Sequence, residues 1–226
     1  MSALDLGWLL NAGVMRLLAG GLAMTFALTA LSAVLAFVLG TALALARMSR
    51  LRAVRWPAAL YIDVIRSLPL LLIIFTVYFA SKPLLDLNLD PFPAAVIALS
   101  GFTAAVVAEI MRAGILSVDR GVIQAAEAQG FAPPQVFLLI RFPIALRRMV
   151  PALLSQLIAL IKSTSLVVVI GVHEFFERAI LITTSPPYRP LPVYVLVAVV
   201  YFAINYALSL LSRRLEDATT GGVRAT

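Results

Sequence analysis

The sequence predicts an all-α protein that crosses a membrane about five times. Of its 226 residues, 62% are hydrophobic and 13% are charged, whereas a soluble domain averages roughly 45 to 50% apolar residues. The apolar residues form long unbroken runs, and a helix needs about 20 such residues to cross hydrocarbon. The basic residues flank these runs, so the net charge of +7 indicates membrane lipid as the neighbour rather than nucleic acid.

Five runs are long enough to be spans, and together they predict a transmembrane domain over residues 22–212. The stretch 1–15 lacks a basic start and a small-residue cleavage site after its apolar part, so it does not resemble a cleaved signal peptide. We expect residues 1–21 to be an interfacial segment outside the membrane. Residues 213–226 are predicted to be a cytoplasmic tail, disordered from 219. The predicted spans are 22–46, 58–80, 92–115, 151–172 and 193–211.

The basic residues also predict the orientation, because cytoplasmic loops retain Lys and Arg. One side of the predicted bundle has proline-rich connections at 81–93 and 185–192 and few basic residues, namely Arg16, Lys82, Arg178 and Arg189. We therefore expect the N-terminus outside and the C-terminus in the cytoplasm. The basic residues of the cytoplasmic side are Arg47, Arg50, Arg52, Arg55, Arg112, Arg120, Arg141, Arg147, Arg148, Arg213, Arg214 and Arg224.

Catalysis in this chain is not expected. There is no cysteine and a single histidine, His173, which excludes thiol chemistry and cysteine or zinc sites. No Gly-x-x-x-x-Gly-Lys-Ser/Thr sequence is present either, so any ATP must be bound by another subunit. A secondary transporter or channel stays open as an alternative; it would move solute on an ion gradient without ATP, although many such folds show repeats that this sequence lacks.

The longest segment between predicted spans is the cytoplasmic loop 116–150. Residues 118–129 favour a helix and Gly130 suits its left-handed cap. Pro133 and Pro134 then begin a second predicted helix, whose apolar face ends at Pro143. Two interpretations stay open: the loop docks another protein, or it packs against the ends of its own spans.

Residues 121–130, GVIQAAEAQG, resemble the EAA loop of permease subunits of ABC importers. The resemblance covers nearly the whole chain and points to the polar amino acid branch of type I importer permeases. Gln124 stands where the family usually has glutamate, and Glu127, one turn later, is placed to replace it. The other matching segments are 61–71, 108–115, 141–147 and 162–166.

The resemblance implies a subunit of the bacterial inner membrane that forms a translocation path for polar amino acids. Its coupling helix would be carried by Gln124, Ala125, Ala126 and Gly130. The implied partners are two ATPase subunits that bind ATP and Mg²⁺, a second identical or related permease, and an external amino-acid-binding protein.

Charged side chains inside the spans are costly and are therefore candidates for function. Asp63 with Arg66, and Glu109 with Arg112, are spaced as helical ion pairs. We interpret them either as a cluster that fixes the second span against the third or as an inner gate or substrate contact.

Lys162 lies near the predicted midplane without an acid within one turn of its own helix. With Ser163, Thr164 and Ser165 it could line the path and meet a substrate carboxylate. Alternatively, it bridges to Glu109 or to backbone carbonyls. Pro69 predicts a kink in the second span.

Overall fold

The computed structural model describes residues 11–184 and 190–220, and in these ranges the chain forms helices and no strand. A π-helical turn at Val136–Arg141 precedes α7, and a 3₁₀ segment at Thr164–Ile170 follows it. The α-helices are α1 Ala12–Met48, α2 Arg52–Ser67, α3 Leu70–Leu85, α4 Pro91–Leu116, α5 Arg120–Ala128, α6 Pro133–Gln135, α7 Phe142–Ser163, α8 Phe175–Thr183 and α9 Pro190–Thr220.

The prediction of about five spans is confirmed. Four helical stretches of the described chain are long and apolar enough to cross a membrane, and α2 with α3 forms a fifth if the bent pair is one span. The central helix is α4, which packs against α1, α2, α3 and α7. Small residues permit this close packing: a Cβ on Gly40 of α1 would meet the α4 backbone at the Ala104 carbonyl, and one on Gly114 of α4 would overlap Met149 of α7.

The prediction of one continuous second span over residues 58–80 is wrong. The chain forms α2 and α3 with a bend of 109° between them. Leu68, with φ −94° and ψ 142°, is extended, because the ring of the following Pro69 disfavours the helical conformation in the residue before it. The kink expected from Pro69 is therefore a complete break in the helix.

Several predicted boundaries also change. The first helix begins at Ala12 rather than residue 22, since the Asn11 side chain accepts hydrogen bonds from the backbone N–H groups of Gly13 and Val14 at 2.8 and 3.4 Å and caps it. Residues 12–21 are thus part of the first helix. At the other end α9 continues to Thr220, so residues 213–220 extend the last helix. The first ten residues, 185–189 of the second outer connection and 221–226 of the tail lie outside the described residues.

The loop 116–150 contains one separate helix, α5, and not two. Its second half forms a helical stretch, 133–163, through α6, the π turn and α7, so the predicted end at Pro143 is wrong. Pro143 lies in the first turn of α7, where a missing N–H is tolerated, and the adjacent π turn alters the local hydrogen-bond register. We call the side of the bundle that carries α5 the α5 side.

Candidate functional site

The helix α5 presents most of its surface to its surroundings. Asp119 caps its start by accepting a 2.6 Å hydrogen bond from Gly121 N, and Gly130, with φ +88°, ends it. Of its nine residues only Ala126 is buried. The other residues expected to contact a partner, Gln124, Ala125 and Glu127, are exposed.

The segments on either side of α5 are fixed to the bundle. Arg141 Nε donates a 3.1 Å hydrogen bond to the Ile115 carbonyl, and Arg148 Nη1 donates to the Ser117 carbonyl. Val118 and Val136 are buried. The flanks of the loop therefore pack against the chain's own spans, as the second of the two interpretations requires in part. The helix α5 between them stays exposed, as docking of another protein requires.

Five charged side chains near the α5 side join α1, α2 and α4, and we call them the inner charge network: Arg47, Asp63, Arg66, Glu109 and Arg112. Glu109 lies at its centre, with its carboxylate 2.9 Å from Arg112, 3.2 Å from Arg47 and 3.8 Å from Arg66. The expected pair of Glu109 and Arg112 forms. Asp63 pairs with Arg47 at 2.8 Å and not with Arg66, because the last turn of α1 brings a third arginine alongside.

The polar patch around Lys162 is organised differently from the expectation. Lys162 is exposed and forms no ion pair, with Glu109 or with any other acid in the described ranges. Thr164 is fully buried, and its hydroxyl donates to the Ile161 carbonyl at 2.7 Å. The Ser165 hydroxyl donates to the backbone carbonyl of Lys162, also at 2.7 Å. Ser163 donates similarly to Ala159 at 2.9 Å. The hydroxyl protons thus bond to carbonyls at the end of α7, which leaves the Lys162 ammonium as the side-chain donor of this patch that is available to a ligand.

The sequence analysis did not identify Glu174 as a candidate site residue. Glu174 is fully buried and caps α8, accepting hydrogen bonds from the backbone N–H groups of Phe176 and Glu177 at 2.9 and 2.8 Å. The hydroxyls of Tyr201 on α9 and Thr25 on α1 also donate to it, at 3.1 and 3.3 Å. Burial raises the pKa of this carboxyl, although the four hydrogen bonds oppose the shift. A capping acid before an apolar helix was the available signal.

Comparison with known families identifies the architecture. Residues 36–221 match the sequence profile described as "Binding-protein-dependent transport system inner membrane component". The chain belongs to this family. It is therefore a multi-pass inner-membrane protein and the permease subunit of an ABC importer, a transport component without catalytic activity of its own. Such a permease works with an ATPase and a binding protein.

Individual members of the family resemble this permease along most of its length. The "Probable glutamine ABC transporter permease protein GlnP" of Bacillus subtilis (strain 168) is 39% identical over 88% of this chain and 92% of its own. The "L-cystine transport system permease protein TcyB" of the same organism is 38% identical over 88% and 85%. Among solved structures, "Crystal structure of an amino acid ABC transporter with histidines" matches with a TM-score of 0.90 and 31% identity over 96% of this chain and 100% of the other.

Proposed function

We propose that this permease forms half of the translocation path of an ABC importer for amino acids and couples to the ATPase through α5. The substrate class is supported by two relatives, whose names give glutamine and L-cystine as the transported solutes. The basic residues, concentrated on the α5 side, support an orientation with the N-terminus outside and the C-terminus in the cytoplasm.

The observation that carries the coupling proposal is that α5 is exposed while the segments next to it are fixed to the bundle. Eight of its nine residues are not buried, and the segment that follows it is hydrogen-bonded to the end of α4 through Arg141 and Arg148. A partner that pushes on α5 would therefore displace α4 and α7 together. Ala125 and Ala128, both exposed, allow a partner's backbone to approach closely.

The path is proposed to run beside two interruptions of regular helix. The break at Leu68 and Pro69 begins α3, and the 3₁₀ segment Thr164–Ile170 ends α7; α3 and this segment are in contact. Irregular backbone at membrane depth is tolerated only where it is buried in protein or lines a cavity. Lys162 lies beside the second interruption, where its ammonium could attract the carboxylate that all amino acids share.

The inner charge network is assigned a structural role in this proposal. Asp63, Arg66, Glu109 and Arg112, joined by Arg47, tie α1, α2 and α4 together. The complete transporter would contain two permease subunits, identical or related, because about five spans leave little room for a closed path. Two ATPase subunits would bind ATP and Mg²⁺, and an external binding protein would deliver the amino acid.

The coupling proposal is tested by purifying the tagged permease with its associated subunits. Ala125→Glu should remove the ATPase from the purified complex, whereas Ala53→Glu, which adds the same charge at an exposed alanine of α2, should not. Recovery of the ATPase with Ala125→Glu at the original level would refute coupling through α5.

The path proposal needs a variant that leaves coupling intact. Lys162→Gln should lower amino acid uptake into proteoliposomes by at least tenfold while the ATPase subunit still co-purifies, and Lys162→Arg should retain part of the uptake because it keeps the charge. Uptake by Lys162→Gln at the original rate would remove Lys162 from the path.

A further inference from the structure

An open groove of about 460 Å³ lies between α1, α4 and α7. Its walls are almost entirely apolar: among the lining residues only Thr103 and Gln156 carry polar side chains. On the α1 wall, Val34 and Val38 remain 62% and 61% exposed. In a membrane such a groove faces hydrocarbon, and it offers an apolar chain more contact than a flat helix surface does.

One cation lies at the end of this groove nearest the α5 side. Arg147 is on the same stripe of α7 as the lining residues Val150, Leu154 and Leu157, which follow it at three, seven and ten positions. It is exposed and has no hydrogen-bond or ion-pair partner in the described chain. Its neighbour Arg148, by contrast, is committed to the Ser117 carbonyl.

The groove lies away from the polar side of α7. Lys162 follows the lining residue Leu157 by five positions, which corresponds to about 140° around a helix with 3.6 residues per turn. The lining of the groove is therefore unsuited to a polar solute, and the charged group available for such a solute is on another face of the helix.

We propose that the groove binds an anionic phospholipid, with one acyl chain against Val34, Val150 and Leu154 and the phosphate beside Arg147. A long apolar chain ending in an anion matches a long apolar surface ending in a cation, and arginine binds phosphate oxygens through two parallel hydrogen bonds. The lipid would belong to the leaflet on the α5 side, where basic residues meet anionic headgroups.

The test uses the complete transporter in nanodiscs that contain phosphatidylglycerol and phosphatidylcholine, with retained lipids counted by native mass spectrometry. Arg147→Gln should lower phosphatidylglycerol retention by about fivefold, the contribution of one arginine at an anionic surface, and leave phosphatidylcholine unchanged. The matched control is Arg55→Gln, since Arg55 is also exposed and lies on α2. Equal retention by both variants would overturn the proposal.

A second measurement separates lipid from a second permease as the occupant. The chain contains no cysteine, so Val34→Cys introduces a single thiol into the groove wall. A spin label on this thiol should be relaxed by oxygen dissolved in the bilayer. A disulfide between two copies through Cys at this position would show that the groove is a subunit interface and would refute the lipid site.

Discussion

The contact between α1 and α4 gives a sharp stability prediction at Gly40. A Cβ added there would lie 2.7 and 2.8 Å from Val107 Cγ1 and Cβ and 2.9 Å from the Ala104 carbonyl oxygen. The last of these is backbone, which cannot rotate away, so Gly40→Ala must separate the two helices. Gly20, on the same helix, has no atom within 4 Å of such a Cβ and is the matched control.

The two variants differ in packing and share their effect on the helix. Replacing glycine by alanine favours a helix by about 1 kcal/mol, and this gain is common to both. Overpacking costs about 1 to 3 kcal/mol, and only Gly40→Ala incurs it. The difference between the variants should therefore be about 1 to 3 kcal/mol in favour of Gly20→Ala. For a chain of this size that corresponds to a difference of about 2 to 12 °C in Tm.

The assay is the loss of the monodisperse size-exclusion peak after heating the purified transporter in detergent. Gly40→Ala should lose the peak at the same or a lower temperature than the original chain, and Gly20→Ala at the same or a higher temperature. If Gly40→Ala is as stable as Gly20→Ala, the close approach of α1 to α4 is absent and the packing argument fails.

The charged and strained positions give three further predictions. Glu109→Gln, which leaves three arginines without their shared acid, should lower stability by about 2 to 3 kcal/mol. Asp63→Asn, at a side chain that is 59% exposed, should cost less than about 1 kcal/mol. Equal Tm values for the two variants would contradict the central place of Glu109 in the network. Because burial raises the pKa of Glu174, the stability of the original chain relative to Glu174→Gln should be greatest below the unfolded pKa of about 4.3 and fall as pH rises through the folded pKa. Thermal unfolding of both proteins across this pH range measures the difference. A relative stability that rises with pH would contradict the raised pKa. Gly130→Ala, at φ +88°, should strain the end of α5 by about 1 to 2 kcal/mol, lower Tm by about 2 to 8 °C and reduce ATPase stimulation by substrate. Full stimulation would show that this turn is not used in coupling.

The number of spans could be predicted from the sequence because it depends on lengths of apolar chain. The break between α2 and α3 could not, since Pro69 is compatible with a kink as well as with a 109° bend. Which of the two occurs depends on what α3 packs against, namely α4 and the 3₁₀ segment. Pro143 was predicted to end a helix and does not. It lies in the first turn of α7, directly after the π turn, and a proline at that position is tolerated only once the π turn has formed.

The candidate site was predictable where it rests on local spacing. Glu109 and Arg112 are three residues apart on one helix and pair as expected. Arg47 and Asp63 are on different helices and pair across 16 positions, a distance that no helical periodicity encodes. Glu174 was missed for the same reason: two of its donors, Thr25 and Tyr201, come from helices at opposite ends of the chain.

The weak burial of α2 gives the inner charge network its importance. Of the sixteen residues of α2 only Ala58 and Ile62 are buried, too little apolar area to fix a helix by packing alone. Asp63 and Arg66 therefore add to the packing of α2 through the network, by less than about 1 kcal/mol each, as does the hydrogen bond of 3.1 Å from the Tyr61 hydroxyl to the Gly101 carbonyl. Since α2 ends at the break that begins α3, ion pairs on the α5 side contribute to where the interrupted backbone of the proposed path lies. A movement of α4 that altered Glu109 would thus reach the path through α2, without any contact between α5 and the path itself.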